Sequence, residues 1–297
     1  MLLAASALLL CAAAVPQTPE KDAQRRTPLI PAPASGASAA PQQPPASAPA
    51  QPLSPTGNFR IGGDAAVAEP RVDPGVGPRP LSTHEPAPFA TVRPLFEING
   101  VPMTSGELNE LVAYYRSFRP GSADLLLMDA FAALLPAKVM RSQFAADLPA
   151  MHAEIEAARA ALAAGRPFAE VVKEFSDDGE AEDPEAKYTF ARERAVQPFD
   201  LVSFTAEPGS GLHGPHLTVY GWHLIEPLAY ARGATPREDR ATMRHLLVMY
   251  PRLVEVENNG GEVRAWIREQ VAGARIRVLE PGLANLVPPE RRAQIVP

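Results

Sequence analysis

Half of the 34 prolines in this 297-residue chain fall before Thr91, which limits where a fold can begin. Proline has no N–H to give to a helix or a sheet ladder, and its ring fixes φ. From Val15 to Ala90 the prolines are mixed with Ala, Gln, Ser and Gly, with almost no aromatic or β-branched clusters. Such a stretch cannot bury enough apolar surface to offset the entropy of ordering it. Residues 15–92 are therefore expected to form a disordered, partly extended linker. The chain beyond the linker is long enough for one compact domain with an insertion, or for two small ones.

Before the linker, Leu2–Ala14 is an apolar run too short to cross a bilayer as a helix. It reads as the core of a secretory signal, residues 1–14, with Ala12-Ala13-Ala14 as the small-residue cleavage site, although a positively charged start is missing. The expected location is periplasmic or elsewhere in the cell envelope. Cys11 follows Leu10 rather than the small residue of a lipoprotein signal, so simple export is favoured over lipidation, and any membrane tie would be this N-terminal anchor alone. Cleavage after Ala14 leaves no cysteine, which removes disulfides and thiol chemistry. The net charge of −6 argues against a nucleic-acid partner, because such binding needs clustered positive charge.

The rest of the chain carries strong local signals. Phe96–Val101 alternates and turns at Asn99-Gly100. Thr104-Ser105-Gly106-Glu107 is a capping box for a helix with Leu108, Leu111 and Tyr115 on one face. Ser122 is placed to cap a second helix over 123–135, and Pro136 either kinks it or starts the next one. Met151, Ile155, Ala158 and Leu162 line a helix that stops at Gly165. Phe168, Val171, Val172 and Phe175 line the following one. Val263–Val271 has helical spacing, and Ala274–Leu279 alternates like a half-buried strand.

Three of these pieces occur in a telling order: Phe168–Ser176 (FAEVVKEFS), Pro198–Phe204 (PFDLVSF) and Gly209–Ile225 (GSGLHGPHLTVYGWHLI). Together they resemble the parvulin (PpiC, rotamase) family of peptidyl-prolyl cis-trans isomerases. Ile98-Asn99-Gly100-Val101-Pro102-Met103-Thr104 followed by helices, and the closing helix and strand, are similar to the flanking segments of SurA/PrsA-type extracytoplasmic foldases. The resemblance implies an α+β fold: a parvulin-like antiparallel sheet with surrounding helices, flanked by a mostly helical chaperone-like segment. It divides the chain into an N-terminal helical segment (93–149), the isomerase-like domain (150–232) and a C-terminal helix-plus-strand segment (233–297) packing on the first.

Carried over by resemblance, Phe204 is the aromatic floor of the proline cup, and Phe199 more plainly packs the domain. His223 is the family's second histidine, and Thr218 is the hydroxyl that bonds the histidine pair. Tyr220, Gly221 and Trp222 are the aromatic-Gly-aromatic corner, with Tyr220 the one that could also reach substrate. The family needs no cofactor. His213 and His216 invite a metal reading, but no Cys accompanies them and no acidic partner is fixed by spacing, so no metal is assigned. The implied partners are unfolded or proline-containing polypeptides.

Two departures stand against this. The family's opening strand, Arg-His-Ile-Leu, supplies its first histidine, and Ser142–Pro149 contains none. A near match, Met243–Val248, comes after the domain: it could be that strand supplied from the C-terminal side, as in a circular permutation, or the start of a second, truncated parvulin unit. Ala241, His245, Leu246 and Met249 also fit a helix over 237–250, which is the favoured reading. The family's Gly-Gly-x-Leu-Gly stretch is replaced by Gly179–Phe190, whose acidic run reads as a solvated loop. The expected function is an exported peptidyl-prolyl isomerase and foldase, with a catalytically degenerate holdase or envelope assembly factor as the alternative.

Overall fold

The structure, a computed structural model, describes residues 77–81, 85–178 and 186–297, all within the unit Gln51–Pro297. The signal-like segment, most of the expected linker and most of the acidic run lie outside the described residues. The fold is α+β, with two antiparallel-based sheets flanked by helices.

The Asn99-Gly100 turn forms as its residues require. Both adopt positive φ (49° and 87°), the pair of left-handed conformations a tight hairpin needs. It joins β1 (Pro94–Ile98) to β2 (Val101–Thr104). The capping box also forms: Glu107 N–H donates to Thr104 Oγ1 at 3.3 Å, and Thr104 N–H to Glu107 Oε2 at 2.8 Å. It opens α1 (Ser105–Arg116). Ser122 caps α2, which runs unbroken from Ala123 to Gln143 with Pro136 inside it, one helix rather than two. The chain end returns to this hairpin. After α6 (Pro251–Asn258) and α7 (Val263–Ala272), β7 (Ile276–Val278) pairs antiparallel with β1, and β8 (Ile295–Val296) pairs parallel with β7.

The second sheet is built from β3 (Lys187–Ala191), β4 (His213–Leu217), β5 (Gly221–Ala231) and β6 (Arg240–Met249), in the order β3-β6-β5-β4. The helix favoured for 237–250 is thus wrong. Residues 240–249 are a central strand, paired with β3 on one side and with almost the whole of β5 on the other. The reason is burial. Ala241, Met243, His245 and Leu247 face one way, and Leu246 and Val248 are buried on the other. A strand covered on both faces reads as a continuous apolar run, which periodicity alone cannot separate from a buried helix. The sheet therefore extends beyond residue 232 into the stretch expected to be C-terminal segment. Helices α3 (Leu148–Ala163) and α4 (Phe168–Phe175) pack on the face carrying Trp222 and Arg244, and α5 (Phe199–Thr205) packs on the face carrying His223 and His245.

The end of the expected linker is also corrected. Leu81 and Phe89 pack on the core, Asn109 holds Phe89 through both of its backbone groups, and Arg79 Nε lies 2.9 Å from Asp239 Oδ2. Asp239 is fully buried and takes further hydrogen bonds from Tyr230 Oη (2.5 Å), Arg192 Nη2 (3.3 Å) and Gly233 N–H (3.1 Å). Burial works against its charge, but these donors, Arg79 first, outweigh it and hold the carboxyl below its ordinary range. Removing one partner of a buried pair leaves the other uncompensated. Asp239→Ala should therefore cost about 3–5 kcal/mol and lower the melting temperature. An unchanged melting curve would show that the buried Arg192 does not depend on it.

Candidate active site

The site is assembled on the α5-facing side of the second sheet. In the β5–β6 ladder His223 stands opposite Leu247 and His245 opposite Ile225, so the two imidazoles are diagonal neighbours on one face. Their Nδ1 atoms are 3.4 Å apart and the rings stack at 25°. Both side chains are buried. The histidine missing before α3 is thus supplied by β6, from the C-terminal side. Gly221 makes this ladder possible: its φ is 147°, and a Cβ there would meet Val248 O at 2.1 Å. Here β5 leaves the Tyr-Gly-Trp corner in contact with β6.

Thr218 closes one end of the pair. Its Oγ1 lies 3.0 Å from His223 Nε2 and accepts the Tyr220 N–H at 3.0 Å. Tyr220 is buried, its carbonyl accepts the Tyr250 N–H at 2.9 Å, and it holds the corner rather than facing a ligand. Asp178 closes the other end. Its Oδ2 is 3.0 Å from His245 Nε2 and accepts the Tyr188 hydroxyl at 2.9 Å. This carboxylate was not found from the sequence. Its signal is its place directly after the end of α4, where the chain is strapped to β6: Asp177 N–H donates to Leu247 O, Leu247 N–H to Ser176 Oγ, and Met249 N–H to Asp177 Oδ2.

Of the two phenylalanines, Phe199 is the one that lies against the histidine pair. Phe199 meets both imidazoles edge-on, with ring centres 5.3 Å from His223 and 5.1 Å from His245. Phe204, expected as the cup floor, packs instead against Phe190 (5.7 Å) and Tyr230 (6.1 Å), with the Arg192 guanidinium 4.6 Å from its ring centre. Residues 199–205 are helical, so five positions carry Phe204 about 140° round the helix from Phe199. Trp222 points to the other sheet face, is only half-buried and meets His152 edge-on. His213 and His216 lie on β4, where His213 Nε2 is 2.7 Å from Ser210 Oγ. Among the described residues no group of three or more His, Cys, Asp or Glu could hold a metal ion.

Residues 135–228, which carry most of this geometry, match the family model of the PPIC-type PPIASE domain, Rotamase. This stretch is therefore a parvulin-type domain, and the match supports peptidyl-prolyl cis-trans isomerase activity. No curated protein matches the chain significantly, and neither does any solved structure. The matched range stops inside β5, so the strand that carries His245 lies outside it.

Burial, and then the neighbouring His245, pushes the His223 pKa well below its ordinary value, so this ring stays neutral. Above about pH 6.5 neither the folded nor the unfolded chain protonates it. Below that the unfolded chain takes up a proton that the folded one refuses, and stability falls as pH drops. The melting temperature of the wild type should fall below about pH 6.5 more steeply than that of His223→Asn. Parallel curves would place the pH sensitivity elsewhere.

Proposed function

We propose that this protein isomerises X-Pro bonds in unfolded exported polypeptides. The observation that carries the reading is the line Tyr188–Asp178–His245–His223–Thr218, set against the ring of Phe199. Rotating a prolyl amide breaks resonance worth ~18–20 kcal/mol, and the uncatalysed exchange takes tens to hundreds of seconds. No covalent bond is made or cut, so a catalyst has only to bind the twisted amide better than either planar form. An aromatic ring suits the proline ring and the loss of amide polarity. Burial keeps His223 uncharged, so the site stays apolar beside the Phe199 ring. The half-buried Asp178 and Tyr188 form the solvent-facing end of the line.

The leader-like run before residue 15 and the lone cysteine support export, and the proline-rich stretch supports a spacer between an anchor and the domain. Among the described residues no helix is long and apolar enough to cross a membrane. A non-enzymatic holdase on the same scaffold is the second reading. It is favoured by the full burial of Phe199 and His223, which presents no ready aromatic cup.

NMR exchange spectroscopy of a short prolyl peptide with the full chain decides between them. Acceleration that is lost in a folded His245→Ala variant establishes the isomerase. No acceleration by the folded wild type, together with suppressed aggregation of an unfolded client, establishes the holdase.

A further inference from the structure

Helix α5 carries Phe199 against both imidazoles, and the next residue, Asp200, is a fully buried aspartate. The helix spans only seven residues, too short to be stable by its own hydrogen bonds. What it is fastened to therefore decides where the Phe199 ring sits. Asp200 Oδ2 accepts the Tyr114 hydroxyl at 2.6 Å, and its Oδ1 accepts the Glu193 N–H at 3.0 Å. Tyr114 is fully buried as well, and burial holds its pKa well above the ordinary value, so it stays a donor. It lies on α1, outside residues 135–228, so the contact joins the isomerase domain to the helical segment before it.

The surroundings of Asp200 make this contact sensitive to pH. From α1 it is faced by Tyr114 and Tyr115. From the turn after β3 it is faced by Arg192 and by Glu193, whose carboxylate pairs with Arg119 and Arg237. Arg119 pairs in turn with Asp129 of α2. On the sheet side the titratable groups are His223 and His245, which meet the Phe199 ring, and Tyr230, which meets Phe204. Burial pushes the Asp200 carboxyl up to about 7, although the Tyr114 hydroxyl and the Glu193 N–H both favour its charge. A hydrated aspartate ionises near pH ~4. The closed contact thus keeps a proton that an opened, hydrated one releases. Above about pH 7, opening becomes easier by about tenfold per pH unit.

We propose that Asp200 is a positioning residue of the isomerase site: through Tyr114 it fastens α5 to the helical segment and so holds the Phe199 ring against the histidine pair. The hold is tight below neutral pH and weaker above it. The proposal deepens the isomerase reading, and only its kinetic arm rests on that reading.

Full-length wild type, Tyr114→Phe and Asp200→Asn are compared between about pH 6 and about pH 8.5. The readouts are the ring-to-ring NOE between Phe199 and His223, the carboxyl ¹³C titration of Asp200 and prolyl exchange kinetics. In the wild type Asp200 should titrate at about 7. The NOE and kcat should fall together as pH rises through that point, with KM little altered. Asp200→Asn has no proton to lose there, so both of its profiles should be flat. Tyr114→Phe removes a donor that favours the charge, so Asp200 should titrate higher than in the wild type. Its NOE at neutral pH should be weaker and its kcat about tenfold lower, the rate equivalent of one lost hydrogen bond to a charged acceptor. Wild-type profiles that Asp200→Asn reproduces overturn the proposal, as does a Tyr114→Phe variant with unchanged NOE and rate. If Tyr114→Phe does not fold, the comparison with Asp200→Asn decides alone. If the wild type does not accelerate prolyl exchange, the isomerase reading fails, while the NOE profiles still decide whether Asp200 holds Phe199.

Discussion

The ladder between β5 and β6 is the interaction on which the rest depends. It pairs Gly221–Ala231 with Arg240–Met249 over nearly their full length, with Trp222 opposite Val248 and Ala231 opposite Arg240. It creates the buried histidine pair, gives β3 a partner, and provides both faces on which α3, α4 and α5 pack. It also sets the site's chemistry. The two imidazoles lie beneath α5 beside Phe199, where burial keeps His223 neutral. An uncharged His223 can share a hydrogen bond with the neighbouring ring where two charged rings would repel, so burial and polar pairing support each other.

A second polar system ties the helical segment and the C-terminal residues to this sheet. Tyr114 of α1 donates to Asp200 of α5 at 2.6 Å, and Asp200 also accepts the Glu193 N–H at 3.0 Å. Burial raises the Asp200 pKa to about 7, against the pull of these two donors. Arg192 is stacked against Phe204, 4.6 Å from its ring centre, and donates to Tyr230 Oη at 2.9 Å and to Pro236 O at 3.0 Å. Buried charges of this kind are costly unless each has partners. The network therefore fixes how α1, α5 and the 236–239 turn meet, and the site is held on a supported helix rather than on a free loop.

Much of the architecture was legible in short patterns because those patterns are local chemistry. Asn99-Gly100, the Thr104/Glu107 box, the Ser122 cap and Gly165 each act over four residues or fewer, and each forms where the sequence places it. Thr218 and His223 were picked out by the family resemblance, and the contact between them spans five residues. What was not legible is long-range. His245 meets His223 across 22 residues, and its strand is buried on both faces, which erases the alternation that would have announced it. Asp178 is drawn out of an acidic stretch by its neighbours Ser176 and Asp177, which accept hydrogen bonds from β6, 71 and 72 residues away. Phe199 and Phe204 could be told apart only once their segment was known to be helical. The proline-rich stretch was read by composition, which does not see that Arg79 has a buried carboxylate waiting for it.

The central claim is that Arg240–Met249 is a strand beside Gly221–Ala231 and brings His245 to His223. Cross-strand backbone NOEs measured on the full chain test it most directly. The account predicts an antiparallel pattern between the two segments with Leu224 opposite Leu246 and Trp222 opposite Val248, together with a contact between the two imidazole rings. Sequential i to i+3 contacts within 240–249, with no contact to 221–231, would make the segment a helix and contradict it.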